Sequence, residues 1–76
     1  MSKIDKSQCL EVLGQEIRCH RKSKGLLQRE VADKVGITQA HYSMIESGKR
    51  DAEFVTIVKI CKTLGIDLNN VINSLK

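Results

Sequence analysis

The chain has 76 residues, 41% of them hydrophobic, and a formal net charge of +4 at pH 7. This length corresponds to one small domain, and it leaves little room for an enzyme pocket with supporting walls. His20, His41 and Cys19 form no nucleophile-and-base set at a plausible spacing, so we expect no enzyme. Because the sequence lacks proline and is rich in helix-forming residues, it predicts an all-α fold.

Three cysteines, Cys9, Cys19 and Cys61, are odd in number and irregularly spaced. No CxxC pair occurs, so neither a disulfide framework nor a metal site is expected. Cys19 and Cys61 lie at helical spacings beside apolar residues, which predicts core or near-core positions. The N-terminus is polar and the apolar runs are short, which argues against a secretory leader and a membrane span. We therefore expect a cytoplasmic protein without a cofactor.

The first predicted helix follows a lead-in of residues 1–7, whose charges alternate without periodicity and which is expected to be flexible. The domain itself is predicted to cover residues 8–76. An amphipathic helix is predicted over residues 8–23, with Ser7 as its N-cap and Gly25 as its C-terminal stop. The apolar positions that recur at three and four are Leu10, Leu13 and Ile17.

A second helix is predicted from Gln28 to Val35, with the small Ala32 in its apolar stripe. Leu27 occupies the N-cap position but has no side-chain oxygen to cap the helix. The missing cap lowers the stability of the helix by roughly 1 kcal/mol. Gly36 is expected to end this helix at a positive φ, which glycine adopts without steric cost. The sequence thus predicts a tight turn between two short helices.

The third helix is predicted from Gln39 to about Ser47, with Thr38 as its capping residue. Tyr42 and Ile45 are three residues apart and are expected to turn inward. The opposite side of the helix is polar and adaptable, and the core does not need it. That side carries Gln39, Ala40, Ser43, Met44 and Ser47.

A fourth helix is predicted over residues 53–63, and a fifth, capped by Asp67, over residues 68–75. The expected inner stripe of the fourth helix is Phe54, Ile57, Cys61 and Leu64. Further apolar residues, among them Val55, Val58 and Ile60, exceed what one small core absorbs. This surplus predicts a homodimer interface made of Val55, Val58, Leu68, Val71, Ile72 and Leu75.

A helix, a tight glycine turn and a second helix form the geometry that places the second helix in the major groove of DNA. From Leu13 to Ile72 the chain resembles the Cro and phage-repressor type of helix-turn-helix protein, also called the XRE family. The matching residues are Leu13-Gly14, Ile17-Arg18, Arg21, Gly25-Leu26, Gln28, Val31-Ala32, Gly36-Ile37-Thr38, Ile45-Glu46, Gly48-Lys49-Arg50 and Leu64-Gly65-Ile66. The resemblance implies a compact five-helix, lambda-repressor-like DNA-binding domain whose recognition helix is residues 38–47.

The resemblance implies that the polar side of this recognition helix contacts DNA bases. Gln39 suits a bidentate contact with adenine, and Ala40 and Met44 suit packing on a thymine methyl group. Ser43 discriminates weakly because its hydroxyl can donate or accept, and the neighbouring His41 could reach a base or a phosphate. The competing interpretation of each residue is an exposed side chain without a role.

Basic residues are clustered, with five of them between Arg18 and Arg29, which suggests a polyanionic partner, although a solvated helix face is the alternative. The resemblance assigns a DNA phosphate contact to the second helix, where the free amides of a helix start favour an anion. Predicted phosphate contacts are Gln28, Arg29, Tyr42, Lys49 and Arg50. Arg21 and Glu46 correspond to a structural ion pair that ties the first helix to the recognition helix.

These features predict a sequence-specific transcriptional regulator that binds double-stranded DNA as a homodimer on a two-fold symmetric operator. A phage-type repressor and a restriction–modification controller are the forms that we favour. We expect no small-molecule ligand, no membrane partner and a nucleoid-associated location when DNA is bound. The alternative is an antitoxin, or another interaction module that uses the same fold to bind a partner protein.

Overall fold

The computed structural model describes residues 3–75 as five helices, and no strand occurs in this part of the chain. The helices are α1 (Lys6–Ser23), α2 (Gln28–Val35), α3 (Gln39–Glu46), α4 (Phe54–Leu64) and α5 (Leu68–Ser74). The predicted five-helix, all-α architecture is therefore confirmed. None of the described helices is both long and apolar enough to cross a membrane.

Helix α1 begins earlier than the apolar pattern predicts. The Asp5 carboxylate accepts a hydrogen bond of 2.8 Å from the backbone N–H of Gln8, so Asp5 is the N-cap. The prediction that Ser7 caps this helix is wrong, because Ser7 lies in the first helical turn. Residues 5–7 of the predicted lead-in thus belong to α1 and its cap, whereas residues 1–2 lie outside the described residues.

The turn between α2 and α3 has the predicted form. Gly36 has a φ of +80°, and the N–H groups of Gly36 and Ile37 both donate to the Ala32 carbonyl, at 2.9 and 3.1 Å. Thr38 Oγ1 accepts from the His41 N–H at 3.1 Å and caps α3. Leu27 supplies no capping oxygen, but the Glu30 carboxylate accepts from its N–H at 2.8 Å. Short-range hydrogen bonds thus fix both ends of the turn.

The core is aliphatic and surrounds the ring of Tyr42. Its buried residues are Ile17, Val31, Ala32, Val35, Tyr42, Ile45, Ile60, Cys61, Leu64, Ile66 and Val71. The prediction for α4 is wrong at its first turn, since Phe54 is 74% exposed and Ile60, predicted to be surplus, is fully buried. Phe54 is the first residue of α4 and is exposed, whereas Ile57 at the end of the same turn packs against the core, as predicted. Cys19 is also exposed, contrary to expectation.

The predicted dimer residues divide into two groups. Val71 is only 7% exposed and belongs to the core of the monomer, so its assignment to an interface is wrong. Leu68 packs against that core and is half-buried, as is Leu75. Val55, Val58 and Ile72 are exposed large apolar residues, and Phe54 joins them. The exposed apolar surface at this end of the chain therefore consists of these four side chains.

Candidate nucleic-acid interface

Glu46, at the end of α3, is the one buried charged residue in the described part of the chain. Arg21 Nε donates to Glu46 Oε2 and Arg21 Nη2 donates to Oε1, both at 2.8 Å. The third bond of Arg21 goes from Nη1 to the Leu26 carbonyl, also at 2.8 Å. The predicted ion pair thus joins α1 to α3 in a two-bond, fork-to-fork geometry, which is stronger than a single contact.

Gln28, the first residue of α2, also reaches this carboxylate. Its Nε2 donates to Glu46 Oε1 at 3.2 Å. Burial would raise the pKa of Glu46, but the polar groups around its carboxylate outweigh burial and hold the pKa below its usual value, Arg21 most strongly, then the nearby Tyr42 hydroxyl and Gln28. Glu46 is therefore ionised at neutral pH, and three helices meet at its carboxylate.

Gly14 allows α1 to approach the same end of α3. It is buried, and a Cβ at this position would overlap the Glu46 carbonyl oxygen and lie 3.1 Å from the Ile45 carbonyl oxygen. A side chain here would push the two helices apart. The close packing at Gly14 and the ion pair of Arg21 with Glu46 therefore fix the position of α3 together.

The predicted base-contacting side of α3 lies at the surface. Gln39 and Ala40 are exposed, Met44 is 42% exposed, and His41 and Ser43 are half-buried. Among the side-chain hydrogen bonds of residues 3–75, none uses the side chain of Gln39, His41 or Ser43. The fold thus leaves these polar groups free for an external partner.

The predicted phosphate-contacting residues have different environments. Arg29, Lys49 and Arg50 are exposed, and Gln28 is half-buried beside Glu46. Tyr42 is 0% exposed, and within residues 3–75 its hydroxyl, although near the Glu46 carboxylate, has no partner in hydrogen-bonding geometry. Burial and the nearby Glu46 carboxylate raise the pKa of Tyr42. The prediction that its hydroxyl reaches a phosphate is wrong, because the ring fills the core and keeps the hydroxyl inside.

A family model described as Helix-turn-helix matches residues 17–70. This chain belongs to the helix-turn-helix family. The match contains α2, the turn at Gly36 and α3, which confirms the XRE-type resemblance. Relatives of this helix-turn-helix chain are named as transcriptional regulators, which agrees with the expectation that it is not an enzyme.

This helix-turn-helix chain is similar in sequence or in structure to the following three proteins. Control protein C.MunI of Mycoplasma sp. is 33% identical over 64 residues, which are 83% of this chain and 86% of that protein. The uncharacterised HTH-type transcriptional regulator YqaE of Bacillus subtilis is 39% identical over 49 residues, which are 64% of this chain and 42% of YqaE. This chain thus spans less than half of YqaE. The restriction-modification controller protein C.AhdI of Aeromonas hydrophila superposes with a TM-score of 0.73 and 31% identity, covering 82% of this chain and 94% of C.AhdI.

Two features of this helix-turn-helix site were not predicted. The hydrogen bond from Gln28 to Glu46 has no sequence signal, because it depends on the side-chain conformation of both residues. The contact at Gly14 does have a sequence signal, since a glycine within a helical pattern often marks a close approach of another element. Both features lie at the junction of α1, α2 and α3.

Proposed function

We propose that this chain binds double-stranded DNA selectively by sequence, as a homodimer on a two-fold symmetric operator, and regulates transcription from it in the cytoplasm. The observation that carries the proposal is the outward side of α3, where the side chains of Gln39, His41 and Ser43 make no hydrogen bond within residues 3–75. The inward side is held by the buried residues Tyr42, Ile45 and Glu46. A rigid helix with a free polar side suits insertion into a major groove.

Base reading is assigned to Gln39, Ala40, His41, Ser43 and Met44. Gln39 is the first residue of α3, and the start of a recognition helix is the part that contacts base edges. Its carboxamide matches the donor and acceptor of adenine, a pairing worth about 1–3 kcal/mol against a wrong base. Ala40 and Met44 offer apolar contacts to a thymine methyl group. These five residues would determine which operator sequence the protein binds.

Phosphate contacts are assigned to Arg29, Lys49 and Arg50, with Gln28 as the contact from the start of α2. The amide of Gln28 donates one N–H to Glu46, and an amide group carries two. Its second N–H is therefore available to a phosphate while Glu46 holds the group in place. Such contacts fix register on the duplex and carry no sequence information.

The homodimer is assigned to the apolar surface formed by Phe54, Val55, Val58 and Ile72. One recognition helix gives a small interface, so pairing across two half-sites about 34–36 Å apart is the expected way to tight binding. Four large apolar side chains of α4 and α5 are exposed, and a two-fold interface would bury the same residues of both copies. Sedimentation equilibrium should give a dimer at micromolar concentration, and Val58→Asp should give a monomer. A wild-type monomer, with and without operator, would remove this part of the proposal.

The named relatives support one kind of regulator. C.MunI is a control protein and C.AhdI is a restriction-modification controller, and both match more than four-fifths of this chain. We therefore favour the controller type, with a phage-type repressor as the other form of the same function.

The test begins with selection of bound duplexes from a random pool. Wild-type protein should enrich a two-fold symmetric sequence. Gln39→Ala should lose discrimination at one base pair of each half-site, whereas Arg50→Ala should weaken all sequences alike and reduce the salt dependence of binding. Unchanged selectivity in the triple variant Gln39→Ala, Ser43→Ala, Met44→Ala would refute the base-reading assignment.

Binding of a partner protein is the second candidate function. The exposed apolar residues Phe54, Val55, Val58 and Ile72 are the observation that favours it. An antitoxin would use α4 and α5 to cover a toxin instead of a second copy of itself. Sequence-selective DNA protection by the purified protein alone would exclude this as its sole role.

A further inference from the structure

A shallow depression of about 170 Å³ lies where α1, α2 and α3 meet. Its walls bring a residue of α1 that has no assigned role next to residues proposed to bind DNA. The lining residues are Arg18, Arg21, Gln28, Ser43, Glu46 and Ser47. The depression therefore joins the predicted phosphate contact of α2 to the predicted reading side of α3.

Two guanidinium groups line this depression, and they differ in how they are used. Arg21 is 11% exposed and gives all its bonds to Glu46 and the Leu26 carbonyl. Arg18 is exposed, and within residues 3–75 it takes part in none of the ion pairs or side-chain hydrogen bonds. Since Arg21 already neutralises Glu46, the positive charge of Arg18 is not compensated inside the depression.

Arg18 also lines a second, wider depression of about 430 Å³, which shares Glu46 and Ser47 with the first. That depression is lined by residues of α1 together with Glu46, Ser47 and Gly48. Glu11 lies in it, yet no ion pair joins Glu11 to Arg18 within residues 3–75. The Arg18 side chain thus lines both depressions, and no group within residues 3–75 accepts from its five N–H donors.

We propose that Arg18 binds a phosphate of the DNA backbone beside the one contacted by Gln28. This inference rests on the DNA binding proposed above. A guanidinium has the fork geometry that matches a phosphate in a two-bond contact. Arg18 lies on α1 rather than on the helix that enters the groove, and Ser43 of α3 lines the same depression, so a backbone phosphate is the group that it reaches.

The salt dependence of binding to the selected operator tests this role. Each phosphate neutralised contributes about 0.9 to the slope of log K against log salt concentration, and two copies on one operator contribute about 1.8. Arg18→Gln should therefore lower the slope by about 1.8 and weaken binding roughly 60-fold at 0.1 M salt. The base preference should stay the same, and Arg18→Lys should retain most of the slope.

Lys24→Gln is the matched control, because it removes the same charge from an exposed residue that lies beside Gly65 at the end of α4. Its slope should stay close to that of wild type. Both variants should melt at the wild-type temperature, since neither side chain has an internal ion pair in the described residues.

Three outcomes would overturn the proposal. If Arg18→Gln binds with the wild-type slope while Arg50→Ala lowers it, Arg18 has no phosphate contact although the DNA-binding function stands. If Arg18→Gln changes preference at one base pair and keeps the slope, it reads a base. If the wild-type protein binds no selected duplex, the proposed function itself fails.

Discussion

Removing the Glu46 carboxylate tests how much the junction of three helices contributes to the fold. Glu46→Ala leaves Arg21, 11% exposed, without either of its 2.8 Å carboxylate bonds. Loss of one partner from a buried pair costs about 3–5 kcal/mol. We expect about 3 kcal/mol, because Arg21 keeps its bond to the Leu26 carbonyl. A domain of this size has roughly 4–11 kcal/mol in total, so the loss is a large fraction.

Urea denaturation followed by circular dichroism measures this loss. With a slope of about 1 kcal/mol per molar urea for a small domain, the midpoint should fall by about 3 M. Glu53→Ala is the control, since Glu53 is exposed and makes no capping bond, and it should change stability by less than about 0.5 kcal/mol. If Glu46→Ala loses under about 1 kcal/mol, the pair behaves like a solvent-exposed one, and the inferred role of the junction is refuted.

The same carboxylate should give the wild-type protein a pH-dependent stability. Folding lowers the pKa of Glu46 below its usual 4.5, so the unfolded chain takes up the proton first as the pH falls. Its stabilising contribution is therefore fully present above about pH 4.5 and is lost as the pH falls through the lower, folded pKa. Glu46→Gln should flatten this part of the profile of unfolding free energy against pH.

Three further substitutions test other contacts. Gly14→Ala should cost about 1–3 kcal/mol, because its methyl group overlaps the Glu46 carbonyl oxygen; an unchanged urea midpoint would contradict the close approach of α1 and α3. Gly36→Ala should cost about 1–2 kcal/mol from its φ of +80° alone, measured in the same way. Tyr42→Phe removes a buried hydroxyl without a partner, so stability should stay equal or rise by about 1 kcal/mol; weaker DNA binding would contradict the burial of this ring.

The helices could be predicted from the sequence because their signals are local. Apolar repeats, capping residues such as Thr38 and Asp67, and the glycines that follow α1 to α4 all act within a few residues. The inward side of α4 could not be predicted, since Phe54 and Ile60 both fit a helical repeat with Ile57 and Leu64. Which of them is buried depends on where α4 meets the core, and that is a long-range property of the fold.

Part of the site could be predicted from the sequence, from the charged residues and from the family resemblance. The pair of Arg21 and Glu46 followed from the resemblance, and these two side chains lie 2.8 Å apart in the structure. Tyr42 was misassigned because a tyrosine is compatible both with a core and with a solvent-exposed surface. The helical pattern does not show whether its hydroxyl is buried or exposed. The free guanidinium of Arg18 could not be told apart from that of Arg21 in the sequence, since only the structure pairs one of them with Glu46.

The residues that stabilise α3 and the residues proposed to recognise DNA lie on different sides of this helix, and this separation has a physical basis. Its inward side is fixed by Tyr42, Ile45 and Glu46, which the core and Arg21 surround. Its outward side carries Gln39 and Met44, whose exchange on an exposed surface changes stability by no more than about 0.5 kcal/mol. Residues on the outward side can therefore be replaced without moving the helix. If the proposed function holds, a different operator would require changes only on the outward side of α3, while the junction at Glu46 would keep the helix in the same orientation to the groove.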